Sequence, residues 1–525
     1  MKHIKYILLS AVVLGFTACN DVEDVLEDNG ALVETTVLPE LNAGDLDFSN
    51  YVALGNSLTA GVTDNGLFIA TQNNSYPNML ANKFAAVGGS DFVQAMTSDN
   101  YGGLSLGPDN GIAITDGGTR VFGPRLVFDG SAPAGLESVI GEVTVSTDLL
   151  NNPTGPFNNL GVPGARSYHL TQPGYGNLVN LLPGSTIEAN PYAVRLTGAT
   201  PDATLLDLAL EQSPTFVSLW IGANDILSYS TSGGSNGALT DQATFDSSID
   251  AIIDGLIATE VQGVVANIPY VTDIPFFTTV PYNPIPLDED TANVVNSAYA
   301  AYNGGIVQAF AYLVSVNAIS QEDADAEIAK RTISFCDVDE NGTPCNNPVV
   351  IIDEALTDLT AINPALVSMR QTTENDLVVL LGASFIGTLA DPNNPASVNG
   401  VGVPLADNWV LTETEIQEVI SATDNFNAKI ASAAEQADFA FFNANEFWQN
   451  LTNGNFSSNN FTPTPGLVVG GLFSLDAVHP TSRGYAIIAN EFMRAIDAKY
   501  GSNFEASGNL LDIGDYPTNY SPLLQ

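Results

Sequence analysis

The segment Leu475-Asp476-Ala477-Val478-His479-Pro480 places a carboxylate three residues ahead of an imidazole, just before an amphipathic stretch. A turn of that length can set the carboxylate against the ring, fix its tautomer and support the imidazolium during proton transfer. His479 is one of three histidines in the chain. His3 falls in an N-terminal export signal. His169, in Ser167-Tyr168-His169-Leu170, has nothing acidic beside it and reads as a packed or surface residue. An oriented imidazole of this kind is suited to general-base work on a nearby hydroxyl or thiol.

Three other segments could supply the rest. Ala53-Leu54-Gly55-Asn56-Ser57-Leu58-Thr59-Ala60-Gly61 puts a serine at the end of a strand, flanked by glycines that let the backbone turn tightly. Active sites of open α/β sheets lie at such carboxyl ends. Trp220-Ile221-Gly222-Ala223-Asn224-Asp225 follows a buried strand, where the Asn224 amide could donate to a developing oxyanion. Asn159-Leu160-Gly161-Val162-Pro163-Gly164-Ala165 is another glycine-bearing turn. Taken singly, none of the three is specific, because glycine, serine and asparagine fill ordinary turns too.

The elements that must position these residues read as alternating helices and strands. A strand is expected over 47–54 and a helix over 76–86, with Met79, Leu80 and Phe84 at helical spacing. A helix near 204–212 precedes a buried strand over 215–221, and a helix over 241–260 precedes another over 263–268. This rhythm predicts an α/β fold, a mostly parallel sheet with helices on both faces. It resumes with a capping box, Thr412 with Glu415, and the stripe Ile416, Val419, Ile420, Phe426 and Ile430. A short strand over 439–442 and a helix over 481–498 follow. Residues 88–156 and 270–411 interrupt the pattern and read as two large insertions, the second with its own helix over 291–314. Residues 501–525 read as a loose tail.

Together the four segments resemble the SGNH hydrolases, also called GDSL lipases and esterases, whose serine, glycine, asparagine and histidine blocks come in this order. The matching residues are Ser57, Gly164, Asn224 and His479, with Asp476 completing the Asp-x-x-His signature. Tyr76-Pro77, Asn267-Ile268-Pro269 and Gly484-Tyr485-Ala486 agree with the neighbourhood of those blocks. Each block alone is unspecific; four in register carry the resemblance, which covers 46–270 and 412–498 within a domain expected over 46–500. It implies a three-layer α/β/α sandwich of flavodoxin-like type. It further implies an ester hydrolase with Ser57 as nucleophile, His479 as base and Asp476 as its orienting acid. The oxyanion hole would comprise the N–H groups of Ser57 and Gly164 and the Asn224 amide, with no metal and no cofactor. The chain departs from the family at Gly55-Asn56-Ser57-Leu58, where asparagine stands for the usual aspartate, and Gly161 competes with Gly164 for the second block. The apolar segment Ile274 to Tyr282 is expected either to line an acyl pocket or to pack the second insertion on the core. Two alternatives remain beside a lipase or esterase: a carbohydrate O-acetyl esterase, and a non-catalytic, lipid-anchored surface binding protein on the same fold.

Composition sets the surroundings. Against 59 acidic residues the chain has 14 Lys and Arg, a formal charge of −45. Such a surface repels nucleic acid, which is excluded as a partner. Lys2 and Lys5 followed by the apolar run Tyr6 to Thr17 form a signal peptide over 1–18, too short to span a bilayer. It ends in Phe16-Thr17-Ala18-Cys19, which resembles the lipobox of bacterial lipoproteins. This implies cleavage before Cys19, a lipid on that cysteine as a membrane anchor, an acidic tether over 19–45, and an exported protein on the outer membrane or cell surface. Of three cysteines, Cys336 and Cys345 then remain as a pair, expected to form a disulfide across a small loop. Asp337-Val338-Asp339-Glu340-Asn341-Gly342 within it matches half of a calcium loop, but Pro348 stands where the bidentate glutamate belongs, so a stapled turn is favoured.

Overall fold

The computed structural model describes residues 37–107 and 120–525. The signal peptide, Cys19 and most of the expected tether lie outside the described residues. Leu41–Glu505 with Asn509–Gln525 form one compact unit, while Ala506–Gly508 group with the chain up to Glu40.

The larger unit is built on five parallel strands: β1 (Tyr51–Gly55), β2 (Asn159–Gly161), β3 (Phe216–Trp220), β4 (Gln262–Ala266) and β5 (Ala440–Phe442), in the order β5-β4-β3-β1-β2. Every central strand is an almost unbroken apolar run, as burial on both faces demands. Alternate side chains show what covers each face. Trp220 packs edge-on against Tyr76 and Phe492, which belong to α2 (Tyr76–Phe84) and to the C-terminal helix Ser482–Tyr500. The adjacent Leu219 faces Ile249 and Ile253 of the helix Gln242–Ile257 and Ile430 of the helix Glu413–Gln436. Helices therefore lie against both faces, and the parallel α/β expectation holds.

The short helix after the first strand is α1 (Ser57–Ala60). It precedes α2, which is followed by α3 (Leu205–Leu210), α4 (Asn224–Thr231), α5 (Gln242–Ile257), α6 (Glu289–Ser315), α7 (Gln321–Arg331), α8 (Glu413–Gln436), α9 (Ala444–Thr452) and α10 (Ser482–Tyr500). Their starts are written locally. Thr204, Asp241 and Thr481 each cap the helix that follows, and the Thr412 N–H donates to Glu415 Oε2 at 2.7 Å in the expected capping box. Phe245 of α5 and Phe426 of α8 stack with centroids 3.8 Å apart, tying the two helices of one face.

Two elements differ from the sequence expectation, and the second insertion holds its expected helix within a cluster of its own. The segment at Asn159 is not merely a turn: it forms the edge strand β2, whose three residues pair with β1 (Ala53 opposite Asn159, Gly55 opposite Gly161). It has no apolar run by which to be recognised. The stretch from 280 to 410 builds a hydrophobic cluster of its own around Ile306, Phe310, Val350 and Val378, separate from the cluster at the main sheet. The C-terminal residues are not a loose tail. Phe504 and Ile513 are fully buried, Asn490 exchanges two hydrogen bonds with Leu511, and Tyr520 bonds to Ser482. Their few apolar residues are spaced without helix or strand period, so nothing local announced the packing. Cys336 and Cys345 form the expected disulfide, with Cα atoms 5.8 Å apart. Within its loop, Asp339 accepts from the N–H groups of Asn341 and Thr343, a turn closed by its own side chain. Among the described residues no helix is long and apolar enough to cross a membrane.

The buried tail yields a test. Ile513→Ala should lower the unfolding free energy by about 2–5 kcal/mol in a urea titration. A change within about 0.5 kcal/mol would mean that the tail is free.

Candidate functional site

A pocket opens at the carboxyl ends of the strands and brings together Ser57, Asn224 and His479. Ser57 and Asn224 converge there because β1 and β3 are neighbours in the sheet and end side by side, and the loop of His479 is joined to the segment after Ser57 by hydrogen bonds from Thr63 and Asp64.

Ser57 is the first residue of α1, directly after β1. The Asn56 side chain accepts from the Leu58 N–H at 3.0 Å and so caps this one-turn helix. Asparagine and aspartate are comparable N-caps, so the departure at Asn56 keeps the local turn intact. Ser57 is 7% exposed, and its backbone N–H has no acceptor among the described residues. That group therefore remains free at a helix N-terminus, where partial positive charge collects.

Asn224 opens α4. Its Nδ2 donates to the Ala165 carbonyl at 2.9 Å, which orients the amide and leaves its second N–H for the pocket. The next residue, Asp225, accepts from both the N–H and the hydroxyl of Ser167 at 2.8 Å each. Burial pushes the Asp225 carboxyl up, against the bonds from Ser167 that favour its charge. Asn224 and Asp225 thus clamp the 165–167 loop from both ends. Gly164 precedes that loop at φ +83°, a left-handed conformation that favours glycine, and its N–H has no acceptor among the described residues. Gly161 is differently employed. Its N–H donates to Asn159 Oδ1, and a side chain there would sit 2.3 Å from the Ala60 nitrogen. Gly161 lets β2 approach α1 closely, which leaves Gly164 as the glycine with a free donor.

His479 Nδ1 lies 2.9 Å from Asp476 Oδ2, as the spacing predicted. Asp476 also accepts from the backbone N–H groups of Val478 (2.9 Å), His479 (2.8 Å) and Asn65 (2.7 Å). Burial alone would raise its carboxyl; the His479 charge and these hydrogen bonds outweigh it and bring it from 3.8 down to about 2. Neither Ser57 Oγ nor His479 Nε2 hydrogen-bonds to any described residue, the looser arrangement common in unliganded sites.

The Asn65 donor was not legible in the sequence. Thr63 and Gly66 exchange two backbone hydrogen bonds of 3.0 Å around Asp64 and Asn65, both at positive φ (55° and 57°), a two-residue turn of the hairpin type. This turn is stitched to the histidine loop at several points. The Thr63 hydroxyl donates to the Pro480 carbonyl, the Asp64 N–H to Ser474 Oγ, and the Leu475 N–H to Asp64 Oδ1, each at 3.0 Å. The signal available was Asp64-Asn65-Gly66, a turn sequence; what it touches was not.

His169 is not among the residues that line the pocket. It is buried, stacked on Tyr175, and accepts from the Arg166 N–H at Nδ1. Its Nε2 lies 3.1 Å from Glu188 but off the line of a hydrogen bond. Of the segment from Ile274 to Tyr282, Ile274 lines the pocket, whereas Phe277 is buried in the main core and Val280 in the second one. The segment therefore reaches the pocket wall at one end and packs into both cores further along. Elsewhere, carboxylate oxygens of Glu354, Asp407 and Glu415 approach within 4.8 Å of one another. Burial and mutual repulsion lift Asp407 to about 6 and Glu415 to about 7, and Glu415 is already engaged in its capping box. Cys19 lies outside the described residues.

No family model, curated protein or solved structure matches the chain.

Asp64 offers a pH test of this arrangement. Burial lifts its carboxyl from 3.8 to about 7, and the nearby Asp476 charge adds to the lift against the Leu475 N–H bond. A carboxyl raised on folding favours the native state fully below its unfolded value, and that contribution declines as pH rises to the folded one. Relative to Asp64→Asn, wild-type protein should therefore lose up to about 4 kcal/mol of stability between roughly pH 4 and 8. Urea titrations at the two pH values measure the difference, and parallel losses in both proteins would show that Asp64 does not carry it.

Proposed function

We propose that this protein is a serine hydrolase of carboxylic esters with an SGNH-type site. The observation that carries the reading is the 2.9 Å Asp476–His479 pair, whose imidazole lines the same pocket as Ser57 and Asn224. In this reading His479 takes the proton of Ser57 as its oxygen attacks the ester carbonyl, then gives it to the departing alcohol. Water attacks the resulting acyl-enzyme with the same base, releasing the acid. Asp476, charged at all ordinary pH values, holds the imidazole in one tautomer and supports its protonated form. The oxyanion finds the N–H groups of Ser57 and Gly164 and the second N–H of Asn224.

The pocket walls are mostly apolar, with Leu58, Leu227, Ile274 and Val478 beside aromatic rings. This supports an acyl or alkyl substituent of some size rather than an acetyl group on a glycan. The oriented Asn224 amide and the hydrogen-bonded Asp476–His479 pair weigh against a purely binding role, which has no use for them. The Cys336–Cys345 disulfide supports the proposed exported location, with the lipid anchor on Cys19 resting on the sequence pattern.

Two variants test the reading. Ser57→Ala should abolish labelling by a fluorophosphonate probe together with hydrolysis of p-nitrophenyl butyrate. Wild-type protein that is folded yet neither labelled nor active would end the proposal. Asn224→Ala should lower kcat about 10²–10³-fold with the fold retained by circular dichroism, the usual cost of one oxyanion donor. Turnover within a fewfold of wild type would remove Asn224 from the oxyanion site.

A further inference from the structure

The pocket has a charge character that the hydrolase reading does not use. Among the described residues its walls include no lysine or arginine and one carboxylate, Asp273. Asp273 closes the short 3-10 turn Val271–Asp273 after β4, and its carboxylate accepts no hydrogen bond from any described residue. It is half-buried, and burial, unopposed by any partner, pushes its carboxyl up. Tyr270 and Trp448 line the same pocket. The Tyr270 hydroxyl is tied to Asp424, which lies outside the pocket lining and fixes the ring. The Trp448 ring is held against Phe473, with centroids 5.2 Å apart.

A carboxylate in an apolar cavity without a cation is a cost that a positively charged ligand would relieve. Aromatic rings lining the same pocket attract the same kind of group through their negative faces, the mode by which quaternary ammonium ions are recognised. An anionic substituent would meet Asp273 with no compensating cation, on a protein already carrying −45.

We propose that Asp273, with the rings of Tyr270 and Trp448, forms a subsite for a quaternary or protonated amine, so that the preferred substrates are esters carrying a positive charge. The subsite deepens the hydrolase reading and rests on it for the word substrate; ammonium binding itself does not require catalysis. Asp273 is a specificity-determining residue here, and no bond is made or broken at it.

Binding can be read without turnover, because two of the three tryptophans, Trp220 and Trp448, line the pocket. The experiment titrates the tryptophan fluorescence of full-length protein with choline and with its uncharged isostere 3,3-dimethylbutanol. In parallel it compares kcat/KM for butyrylcholine and 3,3-dimethylbutyl butyrate. Wild-type protein should bind choline at least tenfold more tightly than the isostere and favour butyrylcholine by a similar factor. In Asp273→Asn both ratios should fall to within about twofold, and in Asp273→Glu the preference should persist. Equal binding of the two alcohols by wild type overturns the subsite, whatever the variants do. So does a choline preference that survives in Asp273→Asn. Choline binding without hydrolysis of either ester would sink the hydrolase reading alone, and hydrolysis without charge preference would sink the subsite alone.

Discussion

The site depends on one buried charge being fully satisfied. Asp476 sits beside His479 in a setting that, by burial, would favour its neutral form. Three backbone N–H groups and the His479 ring keep it ionised instead, and one of those N–H groups comes from Asn65, at the other end of the chain. The same bonds that stabilise the carboxylate therefore locate the imidazole relative to the strand that carries Ser57. The turn from Thr63 to Gly66 follows α1 directly, so the serine and histidine segments are fastened by short polar contacts rather than by bulk packing alone.

The parallel sheet supplies the second constraint. Strands β1, β3 and β4 run in one direction, so the segments that follow them all emerge at one edge. Ser57, Asn224 and the Tyr270–Ile274 turn are those segments, which explains why a serine, an amide and the pocket wall meet without sharing any sequence neighbourhood. The edge strand β2 brings a fourth segment, the glycine loop, and the Asn224–Asp225 pair locks it in place. The N–H groups of Ser57 and Gly164 have no acceptor among the described residues.

The long stretch from 280 to 410 stands apart energetically, with its own apolar cluster, yet it is tied to the site by backbone bonds. Phe276 donates to the Ala477 carbonyl, and Leu380 donates to the Phe276 carbonyl, a relay from the second core to the loop that holds Asp476 and His479. The pocket wall at Ile274 is thus held from both sides.

Much of this was legible in the sequence because it is local. The apolar runs of β3 and β4, the capping box at Thr412 and the stripe of α8 follow from periodicity and short-range hydrogen bonding, and the Asp476–His479 contact follows from a three-residue spacing. Tertiary structure alone decided that the three residues at Asn159 would pair as a strand, that Gly164 rather than Gly161 would keep a free N–H, and that the last residues would pack through Phe504 and Ile513. It also decided that Asn65 would bond to Asp476 and that Asp273 would face the pocket unpartnered. In each of these the partner lies far along the chain, so the residue's own neighbourhood contains no trace of the contact that determines its role.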